Sequence, residues 1–165
     1  MLGLRLNTRS GRAIRRIDKI ILHDPGNNQN MEQVIAWFEN PKNERFGSYH
    51  EIIQGSVSEI LIPANEIAYH AGTFADTGVW SEPTKNGTQN LFAYGLCFVR
   101  PELDLGYVAQ RVWQLVRNFG LDPRRDVFTH AMIDPGKTDP IVFQDRAVWE
   151  KFLSDVAGDR IWLTS

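Results

Sequence analysis

The imidazoles of this chain are His23, His50, His70 and His130. Imidazole changes charge near neutral pH and is the commonest nitrogen ligand for metals, so these positions are where chemistry is sought first. His23 closes the apolar run Ile20-Ile21-Leu22 and precedes Asp24-Pro25-Gly26. An imidazole there stands at the rim of a sheet, where the sites of α/β folds gather. His130 lies in a second apolar stretch, followed by Asp134-Pro135-Gly136-Lys137-Thr138-Asp139-Pro140. A turn through that segment would bring Asp139 back towards His130. Two neutral imidazoles and one ionised carboxylate are a catalytic zinc set, with the fourth position left for water. Spacing leaves Asp134 and Asp139 both open as the third ligand. Asp134, standing before Pro-Gly, also fits a plain turn-starting role.

These side chains need a scaffold, and the pattern supplies one. Residues 17–23, 49–53, 60–62, 92–99 and 127–133 read as strands from their apolar and β-branched runs, with 68–71 a further short candidate. Met31, Val34, Ile35 and Phe38 recur at helical spacing and stop at Asn40-Pro41. Leu105, Val108, Ala109, Val112, Leu115, Val116 and Phe119 predict an amphipathic helix closed by Gly120. A last helix starts near Gln144 and buries Val148, Phe152 and Val156. Strands interleaved with about three helices predict an α/β single domain, a central mixed β-sheet flanked by helices. Residues 1–16 read as an arm, 17–158 as the domain and 159–165 as a tail. The Gly-, Thr-, Asn- and Ser-rich stretch 72–90 reads as a long surface loop.

Composition narrows the function. The 165 residues are 42% apolar and 11% aromatic, enough for a core without staples, and they suit one domain. The net charge of −2 leaves no footprint of a general nucleic-acid binder, although Arg12, Arg15, Arg16 and Lys19 could form a local patch. A single cysteine, Cys97, excludes an intramolecular disulfide framework and an all-cysteine zinc knuckle. No apolar stretch is long enough to span a bilayer, and the N-terminus lacks the apolar core of a secretion signal. The expectation is a monomer made in a cytoplasm, without nucleic-acid or membrane partners.

Four short stretches then carry a resemblance: Lys19-Ile20-Ile21-Leu22-His23, Ser48-Tyr49-His50-Glu51-Ile52-Ile53, Ala68-Tyr69-His70-Ala71-Gly72, and Thr129-His130 with Asp134-Pro135-Gly136-Lys137-Thr138-Asp139-Pro140. In this order they resemble the type 2 N-acetylmuramoyl-L-alanine amidases, which include phage lysozymes of the amidase kind and are related to peptidoglycan-recognition proteins. The likeness spans about residues 17–156. It implies Zn2+ held by His23, His130 and Asp139, so Asp139 rather than Asp134. It implies catalytic roles for Lys137 and Tyr49, and places His70 at the edge of a substrate groove. The implied reaction is hydrolysis of the N-acetylmuramoyl–L-alanine bond of peptidoglycan, as in a phage or prophage endolysin acting on the wall after release at lysis. Phe74, Trp80 and Lys85 of the 72–90 loop could wall that groove.

Some positions depart from the family pattern. Asp24-Pro25 follows His23 where relatives often carry small hydroxyl residues. Cys97 stands where one branch has a catalytic Glu, which favours the branch relying on Tyr and Lys. Strand alternation sets His50 opposite Tyr49 and out of the ligand set, while Glu51 shares the Tyr49 face as a weaker catalytic candidate. A non-catalytic peptidoglycan-binding module and a cytoplasmic muropeptide-recycling amidase are the alternatives on the same fold. A zinc peptidase of the His-Glu-x-x-His class is disfavoured, because that helix motif does not occur.

Overall fold

Five strands, β1 (Lys19–His23), β2 (Glu51–Gln54), β3 (Val57–Ile60), β4 (Ala93–Phe98) and β5 (Val127–Thr129), form one sheet of order β3-β2-β4-β1-β5. The computed structural model that shows this describes residues 10–14, 16–40, 42, 47–71, 87–134 and 136–158. The pairs β2·β4, β4·β1 and β1·β5 are parallel and β2·β3 is antiparallel, so the sheet is mixed, as the sequence predicts. Helices α1 (Met31–Glu39), α2 (Leu105–Phe119) and α5 (Arg146–Ala157) are the long ones, joined by the single turns α3 (Pro123–Asp126) and α4 (His130–Ile133).

Strand alternation distributes the core. Ile20 and Leu22 of β1, with Tyr94, Leu96 and Phe98 of β4, pack under α2 and α5 against Val108, Val112, Phe152 and Val156. On the other face Ile52, Cys97 and Val99 meet Val34 and Ile35 of α1. His23 and Ile21 share that second face by parity. The site therefore lies on the α1 side, at the carboxyl ends of β1 and β5.

Local signals fix the helix ends. Asn30 and Gln33 form a reciprocal capping box at α1. Asp104 caps α2, and Gly120 ends it in the left-handed region at φ 66°. Asp145, one residue beyond the expected start, caps α5.

Four strand expectations need correction. β2 begins at Glu51 rather than Tyr49, because the His50 carbonyl turns to accept from Leu61 and Ile62 and leaves the ladder. β3 is Val57–Ile60, while Leu61 and Ile62 tuck inward and are buried. Residues 68–71 form no strand. Their backbone bonds go to Ser48 and to the Asn90 side chain instead. The 127–133 strand stops at Thr129, whose hydroxyl accepts from Met132 N at 3.3 Å and starts α4. Further up the chain, residues 11–14 lie along 65–67, with Ala13 bridged to Glu66 and Ile67 N donating to Arg12 O at 2.9 Å.

Glu51 is fully buried and is a fold element rather than a cleft residue. Its carboxylate accepts from Arg111 Nε at 2.6 Å, Arg111 Nη2 at 3.0 Å and Tyr94 Oη at 2.8 Å, and also from Ser58 Oγ. Removing one partner of a buried ion pair strands the other, at about 3–5 kcal/mol. Glu51→Ala is expected to lose stability of that order in urea unfolding while the folded fraction keeps its turnover. A catalytic Glu51 would show the reverse.

Candidate metal centre

Three expected ligands meet. β1 and β5 are parallel neighbours with Leu22 opposite Thr129, so the next residues, His23 and His130, emerge side by side with ring centroids 4.6 Å apart. Asp139 arrives on the turn after α4. Asp134 shapes that turn: its Oδ1 accepts from Gly136 N at 2.9 Å and its carbonyl from Lys137 N at 2.9 Å. Ala131 N donating to Asp139 O at 3.1 Å closes the return. Asp139 Oδ2 then lies 3.2 Å from His23 Nδ1 and 3.1 Å from His130 Nδ1. Ligand atoms of the three residues all fall within 4.8 Å of one another. The two carboxylates that spacing left open are thus separated by geometry, and Asp139 is the one beside the imidazoles.

His70 sets the proton inventory of the cluster. Its Nε2 faces the Ala93 carbonyl at 3.3 Å, and a carbonyl can only accept, so the proton sits on Nε2. Its Nδ1 therefore accepts from His23 Nε2 at 3.0 Å, which puts the His23 proton on Nε2 and a lone pair on Nδ1. That lone pair faces Asp139 Oδ2. Gly95 makes room for the arrangement, since a Cβ there would stand 2.4 Å from the His70 ring. His50 is spent elsewhere: Nδ1 accepts from Gly95 N and Nε2 donates to Glu66 O, both at 2.9 Å. Its exclusion from the ligand set follows from saturated nitrogens; strand parity does not apply, because β2 begins only at Glu51.

Burial, the largest influence, pushes His23 from 6.5 down to about 4 and lowers His70 as well, so both are neutral at neutral pH. Burial opposes the charge of Asp139, and its contact with the His130 ring holds the carboxyl below the usual carboxylate range. A neutral Nδ1 lone pair and a carboxylate oxygen repel each other at 3.2 Å unless a cation or proton lies between them. Tetrahedral ligands about 2.0–2.1 Å from zinc stand roughly 3.3 Å apart, close to the spacing found here. Donor types, spacing and protonation therefore fit a zinc ion.

His50 gives a pH dependence independent of any metal. Burial pushes it from 6.5 to about 4. Its folded value lies below its unfolded one, so the stabilisation is fully present above pH 6.5 and is lost as pH falls through 4. The interval corresponds to about 3 kcal/mol. Urea unfolding of the metal-free protein is expected to weaken by at least this order across that window, since His23 and His70 add to the loss, and His50→Gln should remove the His50 share of the slope.

The cluster opens onto a cleft of about 490 Å³. Tyr49, His70, Lys137, His130 and Asp139 line it. The Tyr49 ring is 5.1 Å from that of His23, and the Cys97 thiol is buried. Burial raises both groups above their ordinary values. Trp80, Phe74 and Lys85 lie outside the described residues. Trp37, Phe38 and Tyr69 supply an aromatic wall that the sequence reading did not assign to the cleft. Phe38 falls on the apolar stripe of α1 and reads as core. The signal available was Trp37 beside that stripe, a large ring left 39% exposed. Asp24 and Gly95 were also missed as site-shaping residues, and no spacing rule points to either.

The chain belongs to the N-acetylmuramoyl-L-alanine amidase family, whose model matches residues 13–141. Among solved structures it is similar to a mutant endolysin from Bacillus subtilis, with TM-score 0.73 and 19% identity over 93% of this chain and 94% of that one. It is similar also to the catalytic domain of XlyA, at TM-score 0.72 and 18% identity over 93% and 95%. The Staphylococcus aureus hydrolase AmiA in complex with its ligand aligns at TM-score 0.64 and 16% identity, over 87% of this chain and 73% of that one. At these identities the likeness is one of fold. Among curated proteins no sequence matches at a significant level. Family membership supports amide hydrolysis in peptidoglycan as the class of activity.

Proposed function

We propose that this chain is a zinc-dependent amidase cleaving the bond between N-acetylmuramic acid and L-alanine, of the endolysin kind, made in the cytoplasm and reaching the wall at lysis. The observation that carries the reading is the convergence of His23 Nδ1 and His130 Nδ1 on Asp139 Oδ2, at 3.2 and 3.1 Å. Zinc bound there supplies Lewis acidity and a water of pKa about 7.

The protein's own residues do the rest. His70 holds His23 in the Nε2–H tautomer, so Nδ1 stays a ligand atom. Tyr49, kept protonated at neutral pH by burial, offers its oxygen lone pairs to the hydrogen of an attacking water. Water oxygen bonds to the lactyl carbonyl carbon, and negative charge develops on the carbonyl oxygen. The Lys137 ammonium, on the ligand turn and lining the cleft, donates to that oxygen. The C–N bond then breaks as the alanine nitrogen takes the proton given up by the water, leaving a lactyl carboxyl group and the free amine. The aromatic wall of Trp37, Phe38 and Tyr69 offers stacking area to the glycan or the peptide stem.

Purified cell-wall sacculi test the reading. Incubation should release new α-amino groups of L-alanine without new reducing sugar ends. A chelator should stop the release and zinc restore it. New reducing ends, or no release at all, would contradict it. Comparing intact sacculi with small anhydro-muropeptides separates wall lysis from fragment recycling.

A further inference from the structure

Asp24 follows His23, and its side chain is 1% exposed. Its Oδ2 accepts from Ile141 N at 2.8 Å. Its Oδ1 accepts from Gly26 N at 2.6 Å and from Arg100 Nη2 at 3.3 Å. Ile141 stands two residues past Asp139. The ligand segment is thus fastened on both sides of Asp139, each time to the neighbour of another ligand: Ala131, after His130, bonds the Asp139 carbonyl, and Asp24, after His23, bonds the Ile141 amide. Arg100, just beyond β4, compensates the buried charge and ties the clasp to the middle of the sheet. Asp24 is not among the residues whose ligand atoms come together in the cluster.

Resting on the zinc reading above, we propose that Asp24 is a positioning residue that sets the spacing between His23 and Asp139 and thereby the affinity of the site for its metal. A ligand carried on a turn has freedom that a ligand on a strand lacks. The clasp transfers the rigidity of β1 to that turn. Loss of such an outer partner typically weakens metal binding about 10–100-fold.

The test titrates zinc into the metal-free protein against a chromophoric chelator, and records the absorption bands of the cobalt(II) form, which report ligand geometry. Asp24→Ala should bind zinc about 10–100-fold more weakly and shift or broaden the cobalt bands. Asp24→Asn, which keeps one acceptor oxygen for the Ile141 amide, should fall between Ala and the unsubstituted protein. Arg100→Gln, which leaves the Asp24–Ile141 bond in place, should stay close to the unsubstituted protein. Affinity within about twofold of the original and unchanged cobalt bands in Asp24→Ala would overturn the role, whatever happens to the melting temperature. If Asp24→Ala fails to fold, Asp24→Asn decides: an unchanged affinity there overturns the proposal. Failure of the unsubstituted protein to bind zinc or cobalt would sink the zinc reading and this role together. Normal binding that is indifferent to Asp24 sinks the positioning role alone.

Discussion

His130→Ala is expected to leave a folded protein that holds no zinc at working concentrations and releases no stem peptide. The site offers three ligand atoms, so removing one leaves two on a cation that needs at least three to stay while keeping one position for water. Zinc sites in small proteins draw on about 10–16 kcal/mol of binding free energy. A quarter of that, roughly 3 kcal/mol, is about a hundredfold in affinity, and the loss of tetrahedral geometry adds to it. The fold should tolerate the change. His130 lies in a one-turn helix and its Nε2 has no hydrogen-bond partner among the described residues, so truncation releases only the Asp139 carboxylate, which lines the open cleft. Metal content by mass spectrometry, circular dichroism and the sacculus assay check the three parts. Retained hydrolysis in a metal-free His130→Ala protein would remove the site from the mechanism.

Lys137→Ala should behave differently. Lys137 shares the ligand turn, yet its ammonium lies outside the convergent set of ligand atoms. Zinc affinity is expected to stay close to that of the unsubstituted protein. The turnover number should fall about 10²–10³-fold, the loss seen when one donor to a developing oxyanion is removed. KM should change much less, because the charge that Lys137 meets appears only in the transition state. A large rise in KM with an unchanged turnover number would instead assign Lys137 to substrate binding.

The two ends of this site differ in how plainly the sequence announces them. His23 was legible because a buried strand ending in a polar residue and a Pro-Gly turn has one structural meaning. His130 was legible as a position but not as a conformation: Val127–Ile133 looks like a strand by composition, and only the Thr129 hydroxyl capping Met132 N breaks it into strand and helical turn. The choice between Asp134 and Asp139 was invisible to spacing, since either could reach. The family resemblance implies Asp139, and the backbone hydrogen bonds of the turn bring Asp139 rather than Asp134 beside the imidazoles. His70 was read as a groove-edge residue, and it does line the cleft, but its contact with His23 depends on Gly95 lacking a side chain 25 positions away. Glu51 looked like a site candidate by strand parity. It proved to be the hub of a buried network with Arg111, because residue types do not say which face of a strand meets a helix bearing an arginine. Such pairings are long-range facts of packing, and local pattern does not contain them.

Anomalous diffraction at the zinc edge, from crystals grown with equimolar zinc, decides whether these residues bind the metal. The expected result is one peak about 2.0–2.2 Å from His23 Nδ1, His130 Nδ1 and Asp139 Oδ2, with its fourth side open to the cleft. A peak on other residues, or none at this cluster, would contradict it.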